Sequence, residues 1–188
     1  MTARHVQLVV RLAAIALATV LVQTAAVSQL SLFGATPDLA PLVVVSTGLL
    51  CGSLAGALMG FGVGLLVDVA LLQTLGVTSF VYVLVGHFSG RLRETVRDPQ
   101  ATLLPLAAGA IGTLIALAVF SLLQFLLGVE TPVSLELLRQ IVSTVLINTL
   151  LALPVHALVR RALGNALPDE PRRRRRRRGA GLSPLMQP

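Results

Sequence analysis

Long apolar runs, repeated along the chain, limit this fold more than any other feature. Stretches of about 18 or more such residues are long enough to cross a hydrocarbon core of ~30 Å. They recur at residues 8–30, 39–72, 101–127 and 138–159. Charged residues make up only 12% of the 188, and the mean hydropathy is +0.86. A soluble domain of this length needs far more polar surface. In lipid every backbone polar group must be satisfied internally, which leaves helices or a closed barrel. The runs are rich in Leu and Ala and lack alternation of period two, so the sequence predicts an all-α integral membrane protein.

The run at 39–72 would make one helix of ~50 Å, too long for a bilayer. It is expected to break near residues 59–62 into two short spans. A turn at 73–76 then leads to a span at 77–90, and with the remaining runs the total is about six transmembrane helices. Arginine placement tests this, because basic residues concentrate in cytoplasmic loops near span ends. Six spans put Arg4, Arg11, Arg91, Arg93, Arg97, Arg160, Arg161 and the seven-arginine tail on one side. Only Arg139 falls on the other. Both termini are therefore expected in the cytoplasm, with Asp38, Glu130 and Glu136 outside. An unbroken second run would give five spans and place Arg91, Arg93 and Arg97 outside, against the rule. Cleavage of the first run as a signal peptide after 26–28 would also leave five spans, with the tail still inside.

The net charge of +7 belongs to a tail and not to a basic domain. Arg172, Arg173, Arg174, Arg175, Arg176, Arg177 and Arg178 are consecutive, and the other eight arginines are balanced by eight acids. The chain thus divides into a transmembrane domain at 1–163 and a tail at 164–188. Like-charge repulsion and flanking prolines predict a disordered tail. Basic residues near an anionic leaflet gain ~1 kcal/mol each. The tail is expected to lie on anionic lipid and lock the topology, with an acidic patch on a cytoplasmic partner as the alternative and no nucleic-acid partner expected.

Gly48, Gly52, Gly56, Gly60 and Gly64 recur every four residues, and Asp68 follows at the same interval. Small residues four apart let helix backbones approach closely in lipid. Each step of four turns the stripe by about 40°, so one straight helix cannot keep all of them on one face. Two shorter helices sharing the ladder fit better. Asp68 should point into protein, since a carboxylate in the hydrocarbon costs ~2.5–3.5 kcal/mol on insertion scales. It is read as structural, with a partner contact or an ion path as alternatives.

Nothing in the sequence assembles a catalytic constellation. Ser28, Ser31 and Asp38 have no nearby histidine, and the external loops are too short to gather an acid, a base and an electrostatic clamp. His5, His87 and His156 lack metal-ligand spacing, and Cys51 has no CxxC partner. His87 is read as a packing residue. No cofactor, metal site or enzymatic activity is expected.

The order Pro37-Asp38-Leu39, Gly60-Phe61, Gly64-Leu65-Leu66, Asp68, Leu75-Gly76, then Gly86, Gly90 and Arg91 resembles the rod shape-determining protein MreD family. The resemblance implies a membrane fold similar to the six-helix substrate-binding components of vitamin transporters. It further implies a non-enzymatic member of the cell-wall elongation machinery in the bacterial inner membrane, supporting cell shape. The implied partners are a single-span MreC-like protein, the RodA/transpeptidase synthase and MreB filaments. The arginine tail lies outside the family pattern. A small-molecule uptake component is the rival reading.

Overall fold

The computed structural model describes residues 3–25, 37–95, 103–128 and 135–164, and all regular structure among them is helical. In chain order the helices are α1 (Ala3–Ala25), α2 (Leu39–Cys51), α3 (Ser53–Ala70), α4 (Val77–Thr95), α5 (Leu103–Leu126) and α6 (Leu135–Leu163). Four of them, α1, α3, α5 and α6, are long and apolar enough to cross a membrane. At 19 residues α4 is also long, but its last turns carry Arg91, Arg93 and Glu94.

The expected pair of spans in the second run takes a different form. The chain turns at Gly52, and α3 continues unbroken through residues 59–62. Gly52 has φ +97° and ψ 178°, a region open essentially only to glycine. The turn therefore falls on a ladder glycine that hydropathy cannot distinguish from its neighbours. The helix before it, α2, has only 13 residues, a length of roughly 20 Å that falls short of the ~30 Å hydrocarbon core. Gly52→Ala should cost about 1–3 kcal/mol through backbone strain alone, because an added methyl would meet nothing nearer than the Arg93 guanidinium at 3.9 Å. Thermal unfolding of the purified variant measures this, and an unchanged midpoint would contradict it.

Helix α2 is the central element. Every residue from Ala40 to Leu49 is buried. The other five helices surround it in the cyclic order α1, α3, α4, α5, α6. The outer surface of that ring is apolar, with Leu54 74%, Phe125 66% and Leu150 78% exposed. Such a surface suits hydrocarbon and not water.

Within the ring, α3 and α4 pack most closely. A methyl on Gly56 would strike the Gly86 carbonyl, on Gly60 the Tyr82 carbonyl, and on Gly64 the Ser79 backbone. Methyls on Gly86 and Gly90 would strike Gly56 and Ser53 in return. On α2, Gly48 meets the same surface, 2.7 Å from the Gly86 carbonyl oxygen to an added methyl. The ladder is thus shared between two helices and a turn. With Gly52 in the turn, the three α3 glycines span only two steps of four, and their drift of about 80° stays within one packing face.

Helices alternate in direction, which gathers the arginines. The Arg11 guanidinium donates to the carbonyls of Ala162, at 3.3 Å, and of Leu163. This ties the start of α1 to the end of α6, where a cation also complements the helix dipole. Gly52 and Ser53 adjoin the end of α4, and the Ser53 hydroxyl lies 3.1 Å from Glu94 Oε1. Arg11, Arg91, Arg93, Arg160 and Arg161 therefore share one end of the bundle, while Arg139 lies toward the other. Arg97 and the whole arginine run fall outside the described residues.

Candidate functional site

The residues that organise the interior converge on the start of α2. The sequence places Asp38 in an external loop, but the structure puts it inside the bundle, roughly 20 Å from the arginine-bearing end. The reason is the shortness of α2: its N-terminus ends among helices and not beyond them. In an apolar interior the free N–H and C=O groups of a helix terminus need partners, since each buried orphan costs about 1–3 kcal/mol.

Two amides supply most of them. Asn148 of α6, fully buried, accepts from the Asp38 N–H at 3.0 Å and donates from Nδ2 to the Asp38 carbonyl at 2.9 Å. The same Nδ2 lies 3.3 Å from Thr113 Oγ1 on α5, also fully buried. Gln23 of α1 accepts from the Leu39 N–H at 2.9 Å and donates to the Pro37 carbonyl at 3.3 Å. Asp38 caps α2 itself, accepting from the Ala40 N–H at 3.2 Å, and the Tyr82 hydroxyl donates to its other oxygen at 3.3 Å. Pro37 is buried and Asp38 half-buried. The Pro37-Asp38 step is thereby clamped by α1, α4 and α6 together.

Asp68 lies elsewhere, at the start of α4. It is fully buried, and Oδ2 accepts from the Gly76 N–H at 2.8 Å. Gly76 has φ +94°, and its carbonyl accepts from the Phe80 N–H at 2.9 Å to begin α4. The carboxylate thus faces the positive end of the α4 dipole, where negative charge is favoured. Among the described residues Oδ1 has no partner, nor do the buried hydroxyls of Thr78 and Ser79 in the first turn of α4. The structure keeps Asp38 and Asp68 apart in role: one caps α2, the other caps α4 from a distance.

Gly48, Gly56, Gly60, Gly64, Gly86 and Gly90 belong to the packing seam and not to a chemical site, whereas Gly52, expected to pack, serves the turn through its backbone angle. His87 stacks edge-on against Phe88, with ring centres 5.9 Å apart. Among the described residues no three His, Cys, Asp or Glu side chains converge as metal ligands would. Gln23, Tyr82 and Thr113 escape sequence reasoning. Their signal is a polar side chain within an apolar run, which in lipid demands an explanation.

These features define a polytopic helical membrane protein whose interior is set by glycine packing and a polar clamp. The chain belongs to the rod shape-determining protein MreD family, whose model matches residues 3–162. That membership assigns it to rod shape determination. No curated protein and no solved structure matches it.

Proposed function

We propose that this chain is a non-enzymatic scaffold and regulator of cell-wall elongation in the bacterial inner membrane. It holds an MreC-like single-span protein and, through it, the RodA/transpeptidase synthase and MreB filaments. The family match over residues 3–162 carries this reading. The geometry supports it in kind: polar groups near α2 are spent on holding backbone, and the broad apolar exterior offers surface to other membrane helices. In this reading both termini are cytoplasmic, and the run from Arg172 to Arg178 lies against anionic lipid.

Affinity capture of the tagged full chain from gently solubilised membranes should recover the MreC-like protein, and depletion should turn rods into spheres. Retained rod shape after depletion, with uptake of one nutrient lost, would overturn the scaffold and favour an uptake component. Reporter fusions at residues 91–97 test sidedness, and a periplasmic signal there would reverse it.

A further inference from the structure

Because α2 stops at Asp38, the ring leaves an open cleft of ≈ 190 Å³ on the far side of that cap. Val67, Leu71, Val81, Ala116, Leu117 and Phe120 give it apolar walls, while Asp38, Tyr82, Gln23 and Gln73 supply polar groups. Thr78 also lines it; this residue is 4% exposed and its hydroxyl has no hydrogen-bond partner among the described residues. A cavity of about 150 Å³ takes a benzene-sized molecule. The space is too large and too oily for a bare metal ion, and suits a small organic molecule with one polar head.

The charge balance selects the head. Among the described residues, Asp38 is the one charged side chain lining the cleft. Its carboxylate takes hydrogen bonds from the Ala40 N–H and the Tyr82 hydroxyl, yet it makes no ion pair among the described residues. Five of the described arginines, Arg11, Arg91, Arg93, Arg160 and Arg161, lie at the opposite end of the bundle, and Arg139, toward the cleft's own end, is exposed and does not line it. The N-terminal dipole of α2 offsets only about half a charge. A carboxylate left unpaired at such a base either takes up a proton or is stabilised by a partner of opposite sign, and a bound cation supplies the second.

We propose that this cleft binds a small organic cation. Its ammonium or amidinium head sits on the Asp38 carboxylate and the Thr78 hydroxyl, and its apolar body lies against Leu117 and Phe120. The scaffold reading does not require this site, and the site stands if that reading fails.

The test uses the full chain in phosphatidylcholine nanodiscs, titrated with benzylammonium, its neutral analogue benzyl alcohol and the anion benzoate, with empty nanodiscs as blank. Benzylammonium should bind saturably and at least tenfold tighter than either analogue, and Asp38→Asn should remove that preference. Equal binding of the three probes, no saturable binding, or a preference that survives Asp38→Asn would overturn the proposal. Should Asp38→Asn fail to fold, Leu117→Phe decides, since it narrows the cleft from its wall. Loss of benzylammonium binding in that folded variant supports the site, and unchanged binding overturns it.

Discussion

Gly60→Leu should prevent the bundle from assembling, and even Gly60→Ala should sit at or above the top of the ~1–3 kcal/mol range for overpacking. An added methyl would collide with the carbonyl oxygen and carbon of Tyr82 and lie 2.8 Å from the Val83 nitrogen. These are backbone atoms of a packed helix, so no rotamer change relieves them. Gly62, two residues along the same helix, is the internal control: an added methyl there meets nothing within 4 Å. Gly62→Ala should be neutral or stabilising by about 0.4–1 kcal/mol, through lost freedom in the unfolded chain. Asp68→Asn should also be much milder than Gly60→Leu, because an amide oxygen can still accept from the Gly76 N–H. Size-exclusion profiles and thermal midpoints of the four variants give the order. If Gly60→Ala and Gly62→Ala behave alike, the close approach of α3 and α4 is wrong.

Asn148→Leu should be the most damaging substitution on α6, although it changes volume little. It leaves the Asp38 N–H and C=O without partners inside the bundle, at about 1–3 kcal/mol for each orphaned group. Thr113→Val removes only the outer bond of the same network, worth about 0.5–1.5 kcal/mol. Hydrogen exchange supplies a local reading: the amides of Asp38 and Leu39 should open faster in Asn148→Leu while those of the α3–α4 seam keep their protection. Uniform loss of protection, or none, would contradict a clamp centred on α2.

Six helices, their alternation and the glycine contacts are legible in the sequence because each follows from a local property. Hydropathy reports which segments prefer lipid, and a spacing of four reports close approach. Two features are not legible, for a shared reason. The turn at Gly52 lies inside an unbroken apolar run, and all five ladder glycines look alike until the α4 backbone is in place. Asp38 reads as a loop residue because Pro and Asp favour helix starts near water. Its partner Asn148 lies 110 residues away, and no local pattern announces that pairing. Depth in a membrane depends on what surrounds a segment as well as on the segment itself. The resemblance of the motifs identifies the family but not the depth at which Asp38 sits.

The half-length central helix also bears on how voltage acts across this protein. Where water fills the cleft, bulk potential reaches down to Asp38 and leaves an insulating plug of roughly 20 Å, against ~30 Å in the surrounding bilayer. The same potential difference over two-thirds of the distance makes a field about half as strong again. A charge carried through the full drop changes energy by about 2.3 kcal/mol per 100 mV. With a water-filled cleft, its floor would be where the electrical state of the cell presses hardest on this fold.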